Sequence, residues 1–174
     1  SFGVKTDNQN NVIITGYYGY NGVSCTFGGT AYTCAGVYDL FVEKFDAAGT
    51  FQWVRTAGSS GDDIGVALEI DTNNNIYVAG QYWNTLAING TAFTVAHSAT
   101  AGWDGCVLKY TSAGTYKWGQ PFTGNSYDGV NMMAYDNGFL YVSGCYQGAA
   151  FTLGSANAST QTIASTGGYD IYGA

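Results

Sequence analysis

Carboxylate and amide side chains dominate the residues of this chain that could do chemistry. Asp71, Asn73 and Asn75 place oxygen atoms at alternate positions, which is the pattern that opens a calcium-binding EF-hand loop. The segment has neither the glycine of the sixth position nor the closing glutamate that binds with both oxygens. The sequence therefore predicts no cofactor and no bound metal. This segment is the better candidate for calcium, and 7–11 is a poorer copy of it.

Groups that could act as a general base or nucleophile are scarce. His97 is the only histidine, and its neighbour Ser98 lacks the Gly-x-Ser-x-Gly context of a hydrolase nucleophile. The acids Asp62 and Asp63, with Asp128 at the place corresponding to Asp63, are the residues that a secreted hydrolase could use. We predict that the chain is not an enzyme and keep the hydrolase as an alternative.

Most of the acidic residues recur at regular intervals. The sets are Asp7, Asp71 and Asp136; Asp39, Asp104 and Asp170; and Asp63 and Asp128. An active site is normally built once, whereas structure in a repeat protein is built in every copy. The first set is predicted to accept backbone N–H bonds in turns, and the second set to cap the start of a strand.

One unit of 64 or 65 residues is repeated along the chain. Segment 38–53 reads as a strand, an Ala-Gly turn and a second strand ending in Trp, and 103–118 repeats it. Two further strands, 2–7 and 12–16 in the first copy, open each unit. The third copy ends inside its third strand, which starts at Tyr169. The chain thus holds about 2.7 units, with predicted bounds 1–64, 65–128 and 129–174.

Four short antiparallel strands with two apolar faces make up a β-propeller blade, which packs face to face on two neighbours. A segment rich in Gly, Ser and Thr separates the second and third strands, and Gly28-Gly29 and Asn89-Gly90 predict a small hairpin that stands out there. We therefore predict an all-β fold of two full propeller-like blades and part of a third, with a hairpin insert in each.

Fewer than three full blades leave apolar blade faces and strand edges open to water. The expected partners are flanking blades of the same polypeptide or other copies of the chain, as in a larger ring or a polymer. We expect such partners to bury Phe2, Val4, Val142 and Ile171.

The run 39–53, followed by 58–65, 71–75 and 76–80, resembles the SBBP-type β-propeller repeat. The resemblance extends over nearly the whole chain and recurs in register. It implies a propeller blade in large secreted or surface proteins, usually without a known catalytic site.

Charge and hydropathy exclude two classes of partner. The chain has a formal net charge of −7 and only 5 Lys and Arg residues, too few for a basic stripe that binds nucleic acid. No apolar run approaches the roughly 18 residues of a membrane span. We predict neither nucleic-acid binding nor membrane insertion.

Cysteines, few charges and two glycosylation sequons favour a secreted or cell-surface location. The sequons begin at Asn89 and Asn157, both in inserts, where we expect exposed side chains. Cys25 and Cys34 flank the Gly28-Gly29 hairpin, which predicts a disulfide between them. The second predicted pair is Cys106 and Cys145.

Aromatic residues follow the glycine that closes each second strand. They are Tyr17, Tyr18, Tyr82, Trp83 and Tyr146. If exposed, such rings can stack on sugars. The function predicted from the sequence is a non-catalytic structural or adhesive module, and the alternative is a carbohydrate-binding module that uses these rings.

Overall fold

The computed structural model describes residues 2–89, 91, 94–95, 102–124, 126–147, 150–153, 161–164 and 169–173. Every regular element among them is a β-strand, so the predicted all-β fold is confirmed. The strands are β1 (Gly3–Thr6), β2 (Val12–Tyr18), β3 (Ser24–Phe27), β4 (Thr30–Thr33), β5 (Asp39–Phe45), β6 (Phe51–Gly58), β7 (Asp63–Ile70), β8 (Ile76–Tyr82), β9 (Leu86–Ile88), β10 (Thr94–Val95), β11 (Asp104–Tyr110), β12 (Tyr116–Gly124), β13 (Asp128–Asp136), β14 (Phe139–Gln147), β15 (Ala150–Leu153), β16 (Gln161–Ala164) and β17 (Tyr169–Gly173). The described residues form no helix capable of crossing a membrane.

Three antiparallel blades carry the fold. The first blade runs β1-β2-β5-β6, and the second runs β7-β8-β11-β12. The described strands of the third blade are β13, β14 and β17, in that order. Each blade therefore uses the strands that the repeat predicts, and the order of strands in space follows the order along the chain once the inserts are set aside.

The inserts form the predicted hairpins, but the prediction that they stand out is wrong for the second and third blades. Strand β9 pairs with β6 of the first blade, where Ala57 faces Ile88 and Gly58 faces Ala87. Strand β15 pairs in the same way with β12 of the second blade. An insert thus extends the sheet of the blade before its own, whereas β3 and β4 form a separate two-stranded sheet.

Asp residues close the polar turns between the first two strands of the first and second blades. Asp7 Oδ1 accepts hydrogen bonds from the backbone N–H groups of Gln9 and Asn11, at 2.9 and 3.0 Å. The turn ends in left-handed Asn10, with φ of 62°, a conformation that Asn tolerates better than most residues. The predicted turn role is confirmed for Asp7 and for Asp71, which accepts the equivalent backbone bonds. Asp136 accepts instead from the side-chain amide of Asn137.

Apolar layers fill the spaces between blades. The layer between the first and second blades contains Ile13, Leu40, Val42, Ala57, Leu68, Ile76, Val78, Tyr82, Leu86, Ile88, Cys106, Leu108 and Tyr110. The layer between the second and third blades contains Tyr77, Ala79, Val107, Phe122, Val130, Val142 and Tyr146. A smaller layer, built on Tyr18, Cys34, Phe41 and Val54, lies on the other face of the first blade under β3 and β4. We call the first two layers the first seam and the second seam.

One of the residues that we expected partners to bury is buried by this chain instead. Phe2 and Val4 are exposed, as expected, but Val142 is buried in the second seam by this chain itself. Val142 aligns with Val78, which faces the preceding blade, and alternate residues of a strand point to opposite faces. The side chain of Ile171 lies outside the described residues.

Candidate interaction surfaces and buried carboxylates

Buried carboxylates mark both seams at the start of strands. Asp39 and Asp63 lie at the first seam and Asp104 and Asp128 at the second, all four without exposed surface. Asp104 and Asp128 stand opposite each other in the parallel contact between β11 and β13. At the first seam the corresponding contact joins β7 to the residue before β5, where the Asp63 N–H donates to the carbonyl of Tyr38 at 2.8 Å.

Each carboxylate of the first seam holds the loop in front of its own strand. Asp39 accepts N–H bonds from Ala35, at 3.0 and 3.1 Å, and from Gly36, at 3.3 Å. Asp63 accepts one bond from the Ser59 N–H at 2.6 Å and another from the Ser59 hydroxyl at 2.9 Å. The predicted capping role of Asp39 is therefore confirmed.

Burial changes the acidity of Asp63 and Asp128. It raises the pKa of Asp63 to about 7, the Ser59 donors oppose the rise, and the nearby charge of Asp39 adds to it. Burial and the charge of Asp104 raise the pKa of Asp128 to about 7 as well. Gly124 lies at the position that corresponds to Ser59, so Asp128 lacks the serine hydroxyl that donates to Asp63.

The acids of the hydrolase alternative do not form one site. Asp63 belongs to the first seam and Asp128 to the second, and neither has exposed surface through which a substrate could be reached. Asp62, next to Asp63, is partly buried. His97, the candidate base, lies outside the described residues. The raised pKa values of Asp63 and Asp128 thus accompany seam packing.

The calcium candidate is an internally bonded turn. Asp71 Oδ1 accepts from the N–H groups of Asn73 and Asn75, at 2.9 and 2.8 Å. Asp71 Oδ2 accepts from Asn75 Nδ2 at 2.8 Å and from the Tyr77 hydroxyl at 3.1 Å. Both carboxylate oxygens are engaged, and within the described part of the chain no three His, Cys, Asp or Glu residues are grouped so that they could hold a metal.

A buried ion pair of the first blade lies at the turn end of the first seam. Lys44 Nζ donates to Asp7 Oδ2 at 2.8 Å and to the carbonyl of Ser112, in the second blade, at 3.3 Å. Burial alone would raise the pKa of Asp7, but hydrogen bonds from Lys44, Asn11 and Gln9 outweigh it and lower the pKa to about 2. Lys44 therefore joins the two blades through its bond to Ser112.

An open groove of about 510 Å³ lies beside this ion pair, and Trp53 contributes to its lining. Its polar groups already bond one another. Gln52 Nε2 donates to Asp46 Oδ2 at 3.0 Å, and Asn11 Nδ2 donates to Asp7 Oδ2 at 2.8 Å. A ligand would have to displace these bonds, so the groove is better explained as the outer end of the seam.

The candidate sugar-stacking rings fall into two groups. Tyr18, Tyr82 and Tyr146 are buried in the apolar layers and cannot stack on a sugar, so these three assignments are wrong. They recur every 64 residues, and that recurrence was the available sign that they pack between blades. Tyr17 and Trp83 are about two-fifths exposed, at 41% and 40%, and they pack on Tyr38 and Trp103 respectively.

The four cysteines are free thiols in this structure. Cys25 stands opposite Tyr32 in the β3–β4 hairpin, and Cys34 Sγ accepts from the Gly22 N–H at 3.2 Å. Cys106 is buried in the first seam, whereas Cys145 lies beside Asn131 on the third blade. Both disulfides stay predictions.

The two sequons differ in what the structure describes. Asn89 is exposed, as predicted, and its amide donates to the Thr56 hydroxyl at 2.7 Å. Asn157 lies outside the described residues. Glycosylation at either position stays a prediction.

The sequence interpretation did not single out an exposed apolar surface on the third blade. Met132, Phe139 and Tyr141 are 68%, 67% and 51% exposed. Tyr141 aligns with Ile13 and Tyr77, which are only 0% and 7% exposed because the next blade covers them. We call Met132, Phe139 and Tyr141 the forward face. Comparing repeat positions would have identified it.

Comparison with known proteins bears on the repeat. No family model matches the chain, so the SBBP-type relationship stays a resemblance. The chain is similar to a WD repeat-containing protein. That protein, "Uncharacterized WD repeat-containing protein L264" of Acanthamoeba polyphaga mimivirus, is 25% identical over 178 residues. WD repeats form propeller blades of four strands, which agrees with the blades described above. The match covers 86% of this chain but only 13% of the viral protein.

Proposed function

We propose that the chain is a non-catalytic repeat module that binds proteins through the faces of its blades, as a structural or adhesive part of a secreted or cell-surface assembly. The exposure of Tyr141, at a position that is buried in the other two blades, is the observation that carries the proposal. The similarity to a WD repeat-containing protein supports a repeat module of this kind.

The forward face has the chemistry of a contact surface. Fully burying a side chain the size of Met132 or Phe139 contributes roughly 1.5 to 3 kcal/mol. Met132 and Tyr141 stand on adjacent antiparallel strands, β13 and β14, so they can be covered together. The fitting partner is another apolar blade face, because every seam inside the chain is made of two such faces.

Acidic substitutions on the forward face test the proposal. The unaltered chain is expected to associate in sedimentation velocity at micromolar concentration, and Tyr141→Glu and Met132→Glu to weaken that association at least about tenfold, since each places a charge in an apolar contact. Thr72→Glu, on an exposed turn of the second blade, is the control and should associate like the unaltered chain. Equal association of all variants would contradict the proposal.

A second candidate function, carbohydrate binding, is favoured by one observation. The exposed ring of Trp83 packs edge-on against Trp103, with the ring centroids 5.9 Å apart, and Asn84 bonds to Ser60 next to it at 3.0 Å. An exposed indole next to an amide is a combination that binds sugars. On a glycan array, Trp83→Ala should abolish any binding, while Val23→Ala, which removes an exposed apolar side chain elsewhere, should not.

A further inference from the structure

The repeat also shows what should cover the opposite side of the first blade. We infer that the free edge of β3 accepts the fourth strand of another blade of this repeat, in the antiparallel register that β9 uses toward β6. The inference rests on the proposed function, in which blade faces are contact surfaces, and it adds the partner strand and its register.

The insert of the first blade, β3–β4, and that of the second blade, β9–β10, occupy equivalent places on their own blades. Leu86 and Ile88 of β9 point into the first seam, where Ala57 and other residues of the first blade complete their burial. Cys25 and Phe27 of β3 point in the same way onto the first blade, where the Phe27 ring packs on Tyr18 and Phe41 with centroids 5.4 and 5.1 Å apart. Both β3 residues stay partly exposed, because this layer has only one of its two blades.

Backbone N–H and C=O groups of β3 point outward at its free edge, where a further strand could pair with them. A two-residue turn, Gly28-Gly29, makes Phe27 and Thr30 a hydrogen-bonded pair. By alternation, the N–H and C=O groups of Thr26 then point away from β4, toward the free edge. Thr26 itself is exposed.

At the first seam, the equivalent edge of β9 is already paired with β6. The Asn89 N–H donates to the Thr56 carbonyl at 3.0 Å, and alternation from that bond makes Ala87 and Gly58 the next bonded pair. Ala87 is the residue of β9 that aligns with Thr26. An incoming strand in this register would place its Gly58 equivalent opposite Thr26 and its Ala57 equivalent opposite Phe27.

At two further positions, the first blade lacks contacts that the second blade makes with the blade before it. Val4 is 64% exposed, whereas its equivalent Leu68 is 3% exposed under the first blade. A Cβ atom on Gly114 would lie 2.9 Å from the Trp53 ring of the preceding blade, whereas one on the equivalent Gly49 would meet nothing within 4 Å. Strand edge, blade face and turn therefore all lack the same partner, a preceding blade.

A tandem chain tests the inference. Residues 66–130, a complete unit with its connection, are placed directly before Phe2 of the full chain. Hydrogen exchange at the Thr26 amide should slow at least about tenfold relative to the original chain, since a new strand would take up that donor. The Cys25 thiol should be alkylated more slowly as well. The matched control carries Thr123→Pro in the added unit only, because that position would face Thr26. There the proline ring replaces the N–H that would donate to the Thr26 carbonyl and keeps the incoming strand from closing on the β3 edge.

Three results would overturn the inference: unchanged exchange at Thr26 in a folded tandem, equal slowing in the proline control, or a tandem that does not fold, since an accepting edge must tolerate the strand it fits. The test is separate from that of the proposed function. Slowed Thr26 exchange without assembly through Tyr141 would refute only the proposed function, and assembly through Tyr141 without slowed exchange would refute only the strand pairing.

Discussion

Arg55 of the first blade donates a hydrogen bond from Nε to the carbonyl oxygen of Gly114 in the second blade, at 2.7 Å. The same guanidinium lies 5.4 Å from the centroid of the Trp53 ring, on which Gly114 also packs. The Ala-Gly turn of one blade is thus held by the last strand of the blade before it. The conformation of this turn therefore depends on contact between blades, although its sequence signal is local.

Alanine at this turn should measure that contact. Gly114 and Gly49 have left-handed φ values of 77° and 83°, so alanine costs roughly 1 to 2 kcal/mol of backbone strain at either position. Only Gly114→Ala also forces the Trp53 ring to move, which adds about 1 to 3 kcal/mol. Urea unfolding should show the larger loss of stability for Gly114→Ala. Equal losses would mean that the turn does not pack on the ring.

Removing the buried ammonium of Lys44 should destabilise the fold strongly. Lys44→Met leaves the Asp7 carboxylate buried without its cation, which costs about 3 to 5 kcal/mol in the free energy of unfolding. Lys5→Met is the control, because Lys5 is exposed and its pair with Glu69, at 3.0 Å, is worth at most about 1 kcal/mol. Similar losses for both variants in thermal or urea unfolding would contradict the buried pair.

Stability should peak near pH 4. Asp63 and Asp128 have pKa values raised to about 7 from an ordinary 3.8, so the folded chain binds more protons than the unfolded chain between those values, and stability falls as pH rises through that window. Asp7, lowered to about 2, adds stability above 3.8 that is lost as pH falls toward 2. Urea midpoints from pH 2 to 8 measure both effects.

Replacing Asp128 with asparagine should separate its effect on the pH dependence of stability from that of Asp7. Asp128→Asn removes a carboxylate that must ionise while buried, so this variant should lose less stability between pH 4 and 7 than the unaltered chain. Its behaviour below pH 4 should be unchanged, because Asp7 is intact. An identical slope above pH 4 in both proteins would show that Asp128 does not titrate in this window.

Thiol reactivity should follow burial in the reduced protein. Cys25 and Cys145 are partly exposed, whereas Cys34 and Cys106 are buried. Burial also raises the pKa of the Cys106 thiol, which reduces its reactive thiolate form. Peptide mass spectrometry after brief treatment with iodoacetamide should find Cys25 and Cys145 modified first and Cys106 last. Early modification of Cys106 would contradict its place in the first seam.

The strands, turns and hairpins could be predicted from the sequence because they depend on local patterns. The aromatic-Asp start of β5 and the Asp7 turn carry their own signals. The pairing of β9 with β6 could not be predicted, because it joins residues such as Ala57 and Ile88 through backbone groups that every residue has. The burial of Val142 was mispredicted for another reason, since it depends on which face of the strand points to the neighbouring blade.

The pairing of the second and third inserts with the blade before them bears on how such a chain can lengthen or shorten. The repeated sequence unit and the folded sheet are out of step, since the sheet of the first blade contains residues from the second unit. The second unit adds a strand to the blade before it and receives one from the unit after it. Duplication or loss of one whole internal unit would therefore leave each remaining junction with the same kind of partner.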